Sequence, residues 1–255
     1  MNRSSHSSPR FTGWFRFLLV LLPVMLLLIS CSGDSCPLKA GSVSSQTRDL
    51  PPFNTIILHD KVNLVLTEDS GQQVRVSAGS NLLAGIQTSV DAQTLTIQDN
   101  NKCSLLRDPS EAANIYISSG SLRQITYYGA GSVTSTNTLH SPVFTVDCWM
   151  GSGTISLSLQ AGLVNALVRN ENANVVLSGT ADSAYVYCGE AGSVNLLQLP
   201  TSRVAIDSKS IRDITVNVTD TLHANIVYKG NVYYKGSPAI IDALVTSSGK
   251  LIHLP

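Results

Sequence analysis

The sequence is poor in the residues that most chemistries need. Only 13% of its 255 residues are charged and 6% are aromatic. No C-x-x-C occurs, which removes the common redox pair and the usual zinc spacings. Beyond the N-terminal segment the histidines are His59, His140, His223 and His253. None stands at metal-ligand spacing from another and none adjoins a G-x-S-x-G nucleophile motif. Lysines and arginines form no runs, so the clustered basic surface that nucleic acid demands is not expected. "GAG" at Gly129 and "GSG" at Gly151 imitate part of a nucleotide loop. No helical pattern follows either, so both read as turns, and no cofactor and no metal are expected.

The first residues belong to a different account. Arg3, Arg10 and Arg16 precede an unbroken apolar run from Phe17 to Ser30, 14 residues long. A spanning helix takes about 20. A positive flank, a short apolar core and a small residue at the exit make a secretory signal over residues 1–30. "LISC", Leu28 to Cys31, resembles a bacterial lipobox, in which the cysteine is acylated and the chain is cut before it. An ordinary signal peptide with a chance cysteine, or a membrane anchor, is the alternative. On the lipobox reading Cys31 is the lipidation site and the membrane is the first partner. Loss of residues 1–30 leaves 14 Lys+Arg against 17 Asp+Glu, a net charge of −3. Residues 31–48 show no periodicity and read as a loose tether; residues 49–255 form the folded part.

From about residue 50 apolar and polar residues alternate in short runs: "VNLVL" (Val62–Leu66), "VRVSA" (Val74–Ala78), "TLTIQ" (Thr94–Gln98), "NIYIS" (Asn114–Ser118). Bounded by Gly, Asn, Asp and Ser, these are half-buried strands. The second half also repeats. A small or polar pair precedes Val133, Ile155, Val175, Val194, Ile214, Val232 and Leu251, at steps of 22, 20, 19, 20, 18 and 19 residues. Periods near 20 mean a solenoid or array, and helical repeats usually need more than about 30. The fold class expected is all-β: a parallel β-helix, or β-solenoid, with turns of about 20 residues and two lobes. The seven landmarks point inward; so do Leu157, Leu177, Leu196, Val216 and Tyr234, two residues on. The glycines before the landmarks read as tight corners needing positive φ.

The repeat frame sorts the candidate residues. In "YKGNVYYKGSP", Tyr228–Pro238, Val232 and Tyr234 face the core, which leaves Tyr233 and Lys235 open to a binding role. Trp149 and Arg169 share an outward column on adjacent turns, with Tyr185 and Tyr187 on the next. These side chains make either an aromatic platform for a glycan or protein, or a ladder that stacks on itself. Asp147, Leu167, Tyr187 and Asp207 fall on one outward column. Its two acids are then three turns apart, about 14 Å, beyond the 5–9.5 Å of a glycosidase pair. Asp213 and Asp220 fall at corners. An enzyme is therefore not expected, and a polysaccharide-active one is a distant third reading. Cys148 and Cys188 take inward positions two turns apart, about 9–10 Å, too far for a disulfide. Cys36 could reach Cys103 from the tether.

"YYGAGSVTS", "WMGSGTISLSL" and "GNVYYKGSPAI" followed by "SSGKLI", with the stretch from Phe53 to Asn101, resemble the DUF2807 family, the head GIN domain of adhesins ascribed to autotransporters. The likeness covers roughly Asp49 to Leu254. It implies a β-solenoid, export, and in many members lipidation in the envelope, the outer membrane included, of Bacteroidetes-type bacteria. An autotransporter needs a C-terminal membrane barrel of alternating strands. Here the sequence stops at Pro255, so display is expected through Cys31. The function expected is a non-catalytic, adhesin-like binding module for glycan or protein. A periplasmic structural or assembly lipoprotein is the alternative.

Overall fold

A computed structural model describes residues 39–102, 112–169 and 172–255; Cys31, Cys36 and Cys103 lie outside them. Residues 37–255 form one compact unit. The first half carries short strands: β1 (Val43–Arg48), β2 (Thr55–Leu58), β3 (Asn63–Thr67), β4 (Gln73–Gly79), β5 (Ile86–Asp91), β6 (Thr94–Asp99), β7 (Asn114–Ser118) and β8 (Gln124–Tyr127). Long, cornered strands follow: β9 (Val133–Cys148), β10 (Thr154–Val168), β11 (Asn174–Glu190), β12 (Ser193–Ser210) and β13 (Ile214–Ile226). Three short ones close the chain: β14 (Val232–Lys235), β15 (Ile240–Val245) and β16 (Leu251–His253).

This is a β-solenoid of about 6 turns at about 20-residue spacing. Each long strand crosses a corner and so contributes to two sides. Side A runs β1-β4-β7-β3, through the first halves of β9 to β13, then β14 and β16. Side B runs β5-β6-β2-β8, through the second halves of β9 to β13, then β15. From β9 onward all pairing is parallel. The antiparallel pairs are β1/β4, β4/β7 and β5/β6 in the first half. Val43–Arg48, expected in the loose tether, thus form an edge strand whose partner is β4.

The landmark residues align rung on rung. Val133, Ile155, Val175, Val194, Ile214, Val232 and Leu251 stand in continuous register. All but Leu251 are fully buried. On side B, Val146, Ala166, Val186, Ile206 and Ala224 make the facing row. Strand alternation puts every second side chain into this core. Cys148 and Cys188 flank Val168 on successive rungs and are free and buried. Burial pushes the Cys188 thiol up to about 11, against a weaker downward pull from its hydrogen bond with Ser210. Cys148 is raised further, by burial first and the Asp147 carboxylate second.

The corner glycines have a different cause from the one expected. Positive φ occurs at Gly41, Gly179 and Gly236 but not at Gly131, Gly153, Gly230 or Gly249. Those four lie against the preceding turn. A Cβ at Gly153 would overlap the Gly131 carbonyl oxygen and the Tyr127 hydroxyl, and one at Gly249 the Gly230 carbonyl oxygen. Close stacking, not backbone twist, selects glycine there. Gly153→Ala should therefore destabilise the fold by about 1–3 kcal/mol through overpacking. Gly71→Ala, where a Cβ meets nothing within 4 Å, should change the melting temperature little. Thermal unfolding followed by circular dichroism compares the two.

Candidate binding face

Three outward columns of side B carry the candidate residues. The first runs Thr145, Asn165, Tyr185, Ala205, His223, Asp242. The second runs Asp147, Leu167, Tyr187, Asp207, Asn225, Leu244. Beyond them, Trp149 and Arg169 follow the ends of β9 and β10, and Lys209 pairs with Gly189. Asp147, Leu167, Tyr187 and Asp207 thus stand on successive rungs, with two residues between the acids.

One end of this face is tied to itself. The Arg169 guanidinium lies 4.5 Å from the Trp149 ring centroid. It also grips Asp147 with two hydrogen bonds, Nε to Oδ1 at 2.7 Å and Nη2 to Oδ2 at 3.2 Å. Stacking of this kind contributes about 0.5–1 kcal/mol at an exposed site. The bidentate pair explains how a carboxylate tolerates near-complete burial: the Asp147 side chain is only 11% exposed. The hydrogen bond to Asp147 also raises the Arg169 pKa, so its charge is permanent. Trp149 still exposes 39% of its surface. Lys209 Nζ sits 5.4 Å from the Tyr187 ring centroid.

The other end is open. Ala205 is the small residue in its column, between Tyr185 and His223, and a trough of about 200 Å³ lies there. Asp207, Asn225, Asp242 and Leu244 also line it. The Tyr185 hydroxyl donates to Asp207 Oδ2 at 2.8 Å, and Asn225 Nδ2 donates to Asp207 Oδ1 at 3.1 Å. Burial, then this hydrogen bond to Asp207, raises the Tyr185 pKa. Asn225 Oδ1 is buried without a hydrogen-bond partner. On the rim, His223 Nδ1 and Asp242 Oδ2 are 3.2 Å apart. Two acids therefore meet at one hollow, which the spacing of Asp147 and Asp207 did not suggest. Both Asp207 oxygens already accept hydrogen bonds, while the Asp242 side chain is 76% exposed rather than set in a closed cleft.

Trp149, Arg169, Tyr185 and Tyr187 thus share one face. Tyr233 and Lys235 do not join it: they pair with Thr215 and Asn217 on side A. Sequence reasoning missed Ala205, His223, Asn225 and Asp242. The available signal was spacing, since Ala205 to His223 and Asp207 to Asn225 are both 18-residue steps. Asp213 serves a corner, where Oδ1 accepts from the Asn231 N–H at 2.9 Å. Among the described residues no group of three or more His, Cys, Asp or Glu could hold a metal ion, and no helix is long and apolar enough to cross a membrane.

Fold and face together define a parallel β-solenoid with a decorated outer surface. The chain belongs to the DUF2807 family, described as "Putative auto-transporter adhesin, head GIN domain", which matches residues 52–238. Its fold is similar to that of a protein of Bacteroides fragilis described as a "putative adhesin", at TM-score 0.75 and 23% identity, covering 84% of this chain and 97% of that one. A protein of Parabacteroides distasonis with the same description has TM-score 0.64 and 17% identity, over 84% and 98% of the two chains. A protein described as lipid binding, from the same species, has TM-score 0.62 and 19% identity over the same shares. Identities this low show the fold alone. No curated protein matches the chain.

The Arg169–Asp147 pair yields a stability prediction. Arg169→Ala leaves a largely buried carboxylate without its partner, which should cost about 1–3 kcal/mol. Adding Asp147→Asn should recover part of that loss, and urea unfolding of the two variants checks the order.

Proposed function

We propose that this chain is an envelope-anchored, non-catalytic binding module whose ligand is a glycan held on side B. The observation that carries the reading is the trough at Ala205. It combines a missing side chain, the flanking ring of Tyr185, and acceptors and donors at different heights. A cavity of about 200 Å³ suits one sugar ring. A sugar presents hydroxyls that can both donate and accept, which matches Asp207, Asn225 and the His223–Asp242 pair. Tyr187 and Trp149 extend the surface along the stack, where further rings can lie on aromatic faces. The neutral-to-acidic character of the chain and the adhesin-like family support a binding role in the envelope. Lipidation at Cys31 supplies the attachment, and the outer membrane is the membrane expected.

A second reading is a periplasmic structural or assembly lipoprotein. It is favoured by one feature: Arg169, Trp149 and Asp147 satisfy one another and leave that end of the face closed. The two readings separate in one set of measurements. The purified chain should bind defined glycans on an array, and Ala205→Phe, which fills the trough from an exterior position, should weaken binding at least about tenfold while folding normally. Cys31→Ala should move the protein from the membrane fraction to the soluble one. Absence of glycan binding, or binding indifferent to Ala205→Phe, would favour the structural reading. Cleavage of a bound glycan would contradict the non-catalytic assignment.

A further inference from the structure

The two ends of the stack are finished differently. At one end β1 and β5 close sides A and B by antiparallel pairing. At the other, β15 pairs with β13 and β16 with β14, and no described residue pairs with their outer edges. β15 leaves Ile240 55%, Ile241 45%, Leu244 60% and Val245 43% exposed. Ile241, Ala243 and Val245 stand in register with Leu222, Ala224 and Ile226, all buried. They are the last rung of the core, and no described residue pairs beyond it. Solenoids ordinarily end in a polar capping repeat, and free strand edges are ordinarily blunted by lysine, proline or a bulge. β15 has none of these; its single charge, Asp242, sits beside His223.

The phase of the backbone shows which groups are free. Thr246 N–H donates to the Ile226 carbonyl. In a parallel ladder the residues facing a neighbour alternate, so the even-numbered residues of β15 turn their N–H and C=O toward β13. Ile241, Ala243 and Val245 turn theirs toward the open edge.

We propose that β15 pairs antiparallel with β15 of a second copy of this chain, about a twofold axis through Ala243. In this register Ala243 meets its counterpart, and Ile241 meets Val245 in both directions. Each of these pairs exchanges both of its hydrogen bonds, so every free group of Ile241, Ala243 and Val245 finds a partner. The inward apolar row continues across the joint. Asp242 falls opposite Leu244, so no carboxylate faces another. A slip by one residue would set inward Ile241 against outward Leu244 and put the hydrogen-bonding groups out of phase. The contact is isologous and closes after two copies.

The joint bears on the proposed glycan site, because Asp242 and Leu244 line the trough. Two troughs would face the same way on either side of the twofold, one ligand chain could occupy both, and avidity would follow without any new contact. β15 is only 6 residues long, against roughly 20–30 residues a side in a standard interface. The dimer should therefore be in exchange with monomer at micromolar concentration.

Sedimentation velocity on residues 37–255, the compact unit, provides the test. The expected result is a concentration-dependent shift from monomer to dimer. Ala243→Pro removes an N–H that points to the free edge, and should give a monomer with an unchanged circular dichroism spectrum. Ala243→Cys should give a reducible covalent dimer that the wild type does not. The Cα separation of about 5.5 Å at a hydrogen-bonded antiparallel pair lies within disulfide range. A monomer at all concentrations would overturn the proposal. So would a dimer that survives Ala243→Pro and forms no cross-link through Ala243→Cys.

Discussion

Each rung of this protein takes its backbone partners from the rung before it, and everything else depends on that register. Side chains alternate with period 2, so a one-residue slip between β10 and β11 would carry Val175 and Leu177 out of the core. It would bring Asn174, Val176 and Ser178 in, two of them polar. The register also accounts for the corners. Rungs a strand spacing apart leave no room for a Cβ where Gly131, Gly153, Gly230 and Gly249 pass under the previous turn. A single geometric demand thus selects branched apolar residues on one side of these corners and glycine on the other.

The same stacking makes the outer face. Residues far apart in sequence but one turn apart in space become neighbours at strand spacing, as with Trp149 and Arg169, or Asp207 and Asn225. A ladder of that kind satisfies most of its own polar groups. Arg169 is bound to Asp147, and Tyr185 to Asp207. What breaks the ladder is a small residue. Ala205 leaves a recess lined by Tyr185, Asp207, Asn225, His223 and Asp242, and the recess rather than the aromatic strip is where the ladder is interrupted.

Much of the fold was legible because a period near 20 aligns like residues with like. The column from Val133 to Leu251 could be read directly, and so could the separation of Cys148 from Cys188. The first half was less legible for a physical reason. β1 to β8 are short, and three of their pairings are antiparallel. Alternation shows that a strand has an inner face but not which strand lies beside it, so Val43–Arg48, exposed along nearly its whole length, carried no signal of its pairing with β4. Spacing placed Trp149, Arg169, Tyr185 and Tyr187 on one face. It did not isolate the trough, since steps between turns vary from 18 to 22 residues and a recess is made by the absence of a side chain. Positive φ was the wrong reason for the corner glycines, because a sequence shows that Cβ is missing and not what would collide with it.

Hydrogen exchange of backbone amides, read segment by segment, tests the stacked register most directly. The account predicts the slowest exchange in β10, β11 and β12, which have a partner strand on both sides along both sides of the stack. Protection should fall toward β1, β5, β15 and β16, where one edge has no neighbouring strand among the described residues. Fast exchange through β10 to β12, or protection concentrated in the short strands of the first half, would contradict it.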